Sequence, residues 1–308
     1  MYSDNNWSEH PIKRGLFGKK YYIIRRNDVV GLFSLVNTHL GHIKYAIDRG
    51  YIPVIDMQNY SNVYLPEEKL GEYNAWDLFF EQPLNVALED AFDAKRIVLS
   101  SGFPIEPRPD DDCAFFNNVN GRLDEWRTLA HKYIRVKKSL LEEIDDEYNH
   151  LVEANDRILG THIRGTDYVA RRPYGHPIQP DLENVIAKCH EMMEKNNCNK
   201  IFVGTEDEQI AIKMKKEFGD AYITNSHVFT KYEENKWAPE FKSDRENDEY
   251  LQGKEYLATM VMLSRCNCFV GGRTSGTVGI MLMTDGFEDS YIYCIGRYGM
   301  EGTEEFDK

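Results

Sequence analysis

Apolar residues along this chain fall into two alternating patterns. Short continuous runs at Tyr21-Tyr-Ile-Ile24, Tyr51-Ile-Pro-Val-Ile-Asp56 and Arg96-Ile-Val-Leu-Ser100 predict buried strands. Between the first two, Leu35, Val36, Leu40, Ile43 and Ala46 recur at three- and four-residue steps, the spacing of one helix face. Gly50 stands where the C-cap of that helix is expected. Strand, helix and strand then form a Rossmann-type unit with Gly31 at its first turn. Residues 1–20 read as a polar, loosely ordered lead-in.

The second half alternates in the same way. Ile158 to Ile163 predicts a strand, and Pro180 opens a helix whose inner face is Leu182, Val185, Ile186, Cys189, Met192 and Met193. A strand over Lys200–Thr205, a helix over 208–218 and a short strand over Ala221–Thr224 follow. Beyond them the pattern gives a helix over 249–265, a strand over Cys268–Gly271, a helix from Val278 to Met283 and a strand over Tyr291–Ile295. Such alternation implies a parallel sheet with helices on both faces. Two helical stretches separate the halves, one from Gly121 with Leu123, Trp126, Leu129, Ala130 and Tyr133 inward, the other from Val136 to Val152. They place a domain boundary near 154, giving domains 1–154 and 155–308. The loops 168–179 and 227–248 interrupt the second pattern, the latter long enough for a lid or an insertion.

Charge narrows the partners. A net charge of −14 opposes non-specific nucleic-acid binding, because a phosphate backbone would be repelled overall. A single anionic ligand is compatible with it where arginines gather, and Arg164, Arg171, Arg172, Arg273 and Arg297 all lie in the second half near strand ends. No run approaches the roughly 20 apolar residues that span a bilayer, which leaves peripheral contact with a membrane open. The six cysteines, Cys113, Cys189, Cys198, Cys266, Cys268 and Cys294, form no C-x-x-C pair and read as buried free thiols. They point to a reducing, cytoplasmic setting.

Between the second and third predicted strands lies an aromatic-rich stretch, 57–94, with Tyr60, Tyr64, Tyr73, Trp76, Phe79 and Phe80. Most of these are expected in a core patch under long loops, with a platform for sugar rings as the functional alternative. Asp110-Asp111-Asp112 invites a metal, but it follows Pro107-Arg-Pro109 rather than an apolar strand, so a solvated acidic loop is favoured and no metal is expected.

Three features share one rim of the second sheet, each at the carboxyl end of a predicted strand. They are His162/Arg164/Asp167, Thr205-Glu206-Asp207, and Gly271-Gly-Arg-Thr-Ser-Gly-Thr277 at a helix start. Ligands of open α/β sheets sit beyond such ends. A guanidinium forks onto phosphate oxygens, while glycines, hydroxyls and a helix N-terminus offer donors to an anion. The plainer alternatives are an Arg164–Asp167 pair at a surface turn, an N-capping Thr-Glu-Asp and an ordinary Gly/Ser turn. Together the three features favour a nucleotide-phosphate site, with the carboxylates on ribose or base.

These same residues resemble the GT-B fucosyltransferase superfamily, the α-1,6- and nodulation fucosyltransferases most of all, then the α-1,2- and protein O-fucosyltransferases. His162-Ile-Arg-Gly-Thr-Asp167 is similar to their His-x-Arg-Arg-Thr/Gly-Asp motif, and Gly204-Thr-Glu-Asp207 to their Ala-Thr-Asp-Asp. Leu263-Ser-Arg-Cys-Asn-Cys-Phe-Val270 with Arg273-Thr-Ser275 looks like their Leu-Ser-x-x-Asp-x-x-Val and following hydroxyl loop. Order and spacing agree over 155–296, and Gly31 to Asn37 loosely matches the Gly-rich N-terminal turn.

The resemblance implies a GT-B fold, two Rossmann-like domains with a cleft between them, the acceptor on the first and the nucleotide sugar on the second. It implies an inverting, metal-independent transfer of fucose from GDP-fucose to a glycan or glycolipid, with no cofactor beyond the donor. Arg164 and Asp167 would be catalytic. His162, Gly165, Thr205, Glu206, Asp207, Glu255, Arg273, Thr274 and Ser275, with Gly31 and Asn37 from the first half, would bind the donor. Two positions depart from the pattern. Gly165 replaces the second arginine, for which Arg171, Arg172 or Arg273 could substitute. Thr259 falls where an acidic residue reads guanine, with Glu255 one turn earlier as a replacement. Asp56, Glu72 and Asp77 are the candidate bases for the acceptor hydroxyl. Another nucleotide-sugar donor, or a non-catalytic nucleotide or glycan binder, stands as the alternative.

Overall fold

The computed structural model describes residues 10–26, 30–165, 170–229 and 242–300. Its chain divides into two compact units, one of 1–109 and 125–138, the other of 110–124 and 139–308.

The first unit contains β1 (His10–Arg14), β2 (Lys20–Ile24), α1 (Leu32–Asp48), β3 (Ile52–Ile55), α2 (Trp76–Phe79), α3 (Leu88–Phe92) and β4 (Arg96–Leu99). Its sheet runs β1-β4-β2-β3, parallel except for β1, which lies antiparallel along β4. Helix α1 buries Leu35, Val36, Leu40, Ile43 and Ala46, the face its spacing predicts. It stops because Gly50 adopts φ +68, a conformation that costs a residue without Cβ little. The turn lets Gly50 N–H reach the Ile47 carbonyl and Tyr51 N–H the Ala46 carbonyl. Ile23, Val54 and Ile97 from three strands pack with Leu88 and Ala91 of α3.

Strand β1 corrects the expectation of a loose lead-in from residue 10 onward, while residues 1–9 lie outside the described residues. Its ladder to β4 supplies the order, and an edge strand of sequence HPIKR buries too little to be seen as a hydrophobic run. The aromatic stretch is mostly core: Trp76, Phe79, Phe80 and Tyr64 are buried, with Trp76 stacked on Phe80 at 4.5 Å. A polar seam also runs through this core. The Tyr22 hydroxyl meets His42 Nδ1 at 2.9 Å, and His42 Nε2 meets the Phe103 carbonyl at 2.8 Å. A carbonyl can only accept, so Nε2 carries the ring proton and Nδ1 accepts from the tyrosine.

The second unit holds α4 (Cys113–Phe116), and α5 (Arg122–Tyr133) then carries the chain back into the first. After α6 (Lys138–Leu151) come β5 (Ile158–His162), α7 (Leu182–Asn196), β6 (Lys200–Gly204), α8 (Glu208–Phe218), β7 (Tyr222–Ile223), α9 (Asp248–Ser264), β8 (Cys268–Gly272), α10 (Ser275–Met283) and β9 (Asp289–Tyr293). The sheet is β7-β6-β5-β8-β9, parallel throughout. Leu159, Ile201, Val203, Cys268 and Val270 form its core with Val185, Cys189 and Met192 of α7 and Met214 and Phe218 of α8.

Two expectations are corrected here. The units part at 138/139 rather than near 154, and 110–124 groups with the second. The heptad-like face of α6, with Leu140 and Ile144 buried, told of packing but not of which unit it packs on. Of the six cysteines, Cys113 and Cys294 are joined in a disulfide, while Cys189, Cys198, Cys266 and Cys268 are buried free thiols. The pair is separated by 181 positions, so no local spacing could reveal it. The thiol argument for a reducing compartment therefore rests on four cysteines, not six.

Candidate functional site

From β5 the chain proceeds to β6 and β7 on one side, then returns to place β8 and β9 on the other. The order thus reverses at β5, and the carboxyl ends of β5 and β8 form the topological switch point where open sheets bind ligands. His162 pairs with Gly204 of β6 and Gly271 of β8, so the three sequence features do meet on one rim. Arg164 leaves β5 two residues later and its Nη1 lies 2.9 Å from Glu206 Oε1, both side chains about one-fifth exposed. The partner expected for it at a surface turn, Asp167, lies outside the described residues.

Asp207 serves as the N-cap of α8, accepting from Gln209 N–H at 2.8 Å and Ile210 N–H at 3.2 Å, while its own N–H donates to Thr205 Oγ1 at 3.2 Å. Gly165 backs onto this cap. A Cβ at 165 would stand 2.8 Å from Asp207 Oδ2, which explains why no second arginine is accommodated there.

The Gly271–Thr277 loop is fixed by hydroxyls. Thr274 caps α10 by accepting Thr277 N–H at 3.0 Å, which sets Ser275 at the first helical position. The Thr277 hydroxyl donates to the Gly272 carbonyl at 2.7 Å and lies 3.0 Å from His162 Nδ1. With its proton spent on Gly272, Thr277 accepts from the imidazole, so Nδ1 carries the ring proton. Burial, and then the neighbouring Arg164 charge, pushes the His162 pKa down to about 3, so the ring is neutral. Gly276 has no room for a side chain, since a Cβ would collide with the Tyr256 hydroxyl and with His162 Cε1. Thr277 and Tyr256 were not singled out from sequence, and only the Gly-Thr at the helix start hinted at the first.

Several other expected donor residues turn their side chains to protein partners. Arg273 is buried, its Nη1 3.0 Å from Cys113 Sγ and its Nη2 donating to the Gly296 carbonyl at 3.0 Å. Glu255, on α9, is forked onto Arg245 and accepts Val228 N–H at 3.2 Å. Thr259 donates to Asn225 Oδ1 at 2.9 Å. Arg171 and Arg172 are exposed. Gly31 precedes α1 as its N-cap and Asn37 is buried within it, both in the first unit.

The acidic triplet is engaged otherwise. Asp111 pairs with Arg297 at 2.7 Å, and Asp112 caps α4 and pairs with Arg122 at 3.1 Å. Among the described residues no group of three or more His, Cys, Asp or Glu is arranged to hold a metal.

In the first unit the candidate bases separate. Asp56 is consumed in a turn, accepting from Gln58 N–H and from Asn59 N–H and Nδ2. Glu72 and Asp77 instead line a cavity of about 360 Å³ beyond the carboxyl end of β3, with Gln58, Tyr73, Asn74, Leu78, Glu89 and Lys137. Burial raises the Asp77 carboxyl above its ordinary pKa, against a hydrogen bond from Gln82 Nε2 at 2.9 Å.

Two α/β units, each with a parallel-rich sheet, are the GT-B fold. Solved structures of that fold covering most of this chain are fucosyltransferases. A NodZ α-1,6-fucosyltransferase soaked with GDP-fucose matches with TM-score 0.54 at 16% identity, covering 86% of this chain and 93% of that one. POFUT1 in complex with GDP-fucose matches with TM-score 0.52 at 9% identity, covering 91% and 99%. NodZ from Bradyrhizobium matches with TM-score 0.50 at 15% identity, covering 87% and 94%. At these identities the likeness is one of fold. No protein-family model and no curated protein matches the sequence.

Proposed function

We propose that this protein is an inverting glycosyltransferase that moves fucose from GDP-fucose to a glycan or glycolipid acceptor. The observation that carries the reading is Arg164 at the switch point of the second sheet, beside a hydroxyl-capped helix start, in a fold shared with enzymes solved with GDP-fucose. When a nucleoside diphosphate leaves a sugar, negative charge grows on the phosphate oxygens. A guanidinium fixed there stabilises the transition state more than the ground state. Glu206 holds that guanidinium in place by an ion pair, and the buried His162 beside it is neutral and locked by Thr277. Arg164 thereby supplies the charge a metal would otherwise supply. Acceptor binding is assigned to the first unit, where Asp77 or Glu72 would take the acceptor proton.

Thermal-shift titration with GDP, UDP and CDP tests the donor, because a ligand at a hundred times its Kd stabilises by about 2.7 kcal/mol. GDP alone should raise Tm strongly, and equal shifts from all three would refute the guanine assignment. A second reading, a binder without turnover, is favoured by one observation, the closed space at Gly165 that leaves one cation fewer. GDP binding without release of GDP from GDP-fucose across a panel of acceptor sugars would establish it.

A further inference from the structure

The segment joining β1 to β2 stands apart from the rest of the surface. Strand β4 lies between those two strands, so residues 15–19 pass over its amino end. Gly15 N–H donates to the Lys95 carbonyl at 2.7 Å, and Arg96 Nη1 donates to the Gly18 carbonyl at 3.2 Å. A Cβ at Gly15 would stand 2.8 Å from Lys95 Cβ, so the loop is held tightly by its backbone. At its tip Leu16 and Phe17 are 87% and 85% exposed, and Ile12 on the edge strand is 48% exposed.

Around this apolar tip the charge is the reverse of the chain's. Residues 11–20 and 93–96 carry Lys13, Arg14, Lys19, Lys20, Lys95 and Arg96 against the single carboxylate of Asp93, in a protein of net charge −14. Lys20 lies over the Tyr51 ring and donates to its hydroxyl at 2.6 Å, and Lys13 donates to the Phe92 carbonyl. Arg14 and Lys19 are exposed. A large apolar pair ringed by cations matches the boundary of an anionic bilayer, where apolar side chains enter the headgroup region and cations meet lipid phosphates.

We infer that the β1–β2 loop is a peripheral anchor that docks the protein on anionic phospholipid membranes through Leu16 and Phe17. The anchor sits at the amino end of the sheet, so the carboxyl edges of β2, β3 and β4 stay free on a docked molecule. Among the described residues no helix is long and apolar enough to cross a membrane, and the anchor requires none. Flotation of the full chain with vesicles tests it, using phosphatidylcholine alone and with about a third phosphatidylserine. The wild type should float only with the anionic vesicles and release at high salt. Leu16→Ser/Phe17→Ser and Arg14→Glu/Lys19→Glu should each lower partitioning about tenfold with unchanged circular dichroism and Tm. Equal flotation on both vesicle types, or variants that float like the wild type, would overturn the proposal. So would a Leu16→Ser/Phe17→Ser variant that keeps vesicle binding but turns a dimer into a monomer by sedimentation, which would give the tip to a second copy of the chain.

Discussion

Beyond β5 and β8 the second unit presents a guanidinium paired with Glu206, the capping Asp207, three threonine hydroxyls and a helix start, whereas beyond β3 the first presents Glu72, Asp77 and Glu89 around amides and a tyrosine. Both edges follow one parallel plan, since each ends where strands of a Rossmann-type sheet release the chain. What differs is which partner each can satisfy. Donors and a fixed cation suit an anion, while carboxylates and amides suit sugar hydroxyls and repel phosphate. Lys137 also lies there, its Nζ donating to the Asp77 carbonyl at 2.6 Å. The proposed division of labour between nucleotide and acceptor rests on this contrast.

The sharpest way to break this contrast is Arg164→Ala. If the proposed role is right, removing this charge should lower kcat roughly 10²–10³-fold, with Tm little changed; near wild-type turnover would end the assignment. Arg164→Lys should recover only part, because an ammonium cannot fork across two oxygens. On the other edge, Asp77→Asn should leave the GDP-induced Tm shift intact while raising acceptor KM or lowering kcat. A lost GDP shift in that variant would merge the two edges into one site.

Acid is the next largest perturbation, and it reaches both units. Burial pushes His42 down to about 4 in the first and His162 to about 3 in the second, with the wholly buried His39 well below 6.5 as well. Their folded pKa values lie below the unfolded value of 6.5, so the unfolded chain binds the extra protons. Stability from these rings is complete above about pH 6.5 and drains away as pH falls below it, by about 1.4 kcal/mol per unit for each. Asp56 and Asp77, raised by burial, act in the opposite sense and soften the slope. Equilibrium urea unfolding between pH 7 and pH 5 should show the loss, and His162→Gln should flatten it.

Much of this architecture was readable because strand runs such as Ile201–Val203 and the helix face of α1 carry their own periodicity. The β5, β6 and β8 tips were legible for the same reason: a charged or Gly-rich end to an apolar run marks a sheet edge. What escaped depended on partners distant in sequence. Strand β1 exists through its ladder to β4, the disulfide through the meeting of α4 with the end of β9, and the burial of Arg273 through both. Glu255 looked free on its helix face until Arg245 closed on it. Gly165 was read as a missing cation, and its cause, the Asp207 cap behind it, is a contact across two loops.

Smaller changes refine the second edge. Gly165→Ala should force Asp207 off the α8 terminus and cost about 1–2 kcal/mol. Asp207→Asn, which preserves capping, should cost only a few tenths of a kcal/mol. If Asp207→Asn nevertheless weakens GDP binding tenfold, its carboxylate reads the nucleotide as well as capping the helix.

The chain passes between its units three times, at 109/110, 124/125 and 138/139. Neither unit is therefore a single stretch of polypeptide, and no one cut releases either whole. During synthesis the first unit cannot be completed until residue 138 has left the ribosome, with a piece of the second already threaded through its sequence. Replacing the first unit of this scaffold accordingly means exchanging two segments together, 1–109 and 125–138, while the fifteen-residue interlude between them stays with its own partner.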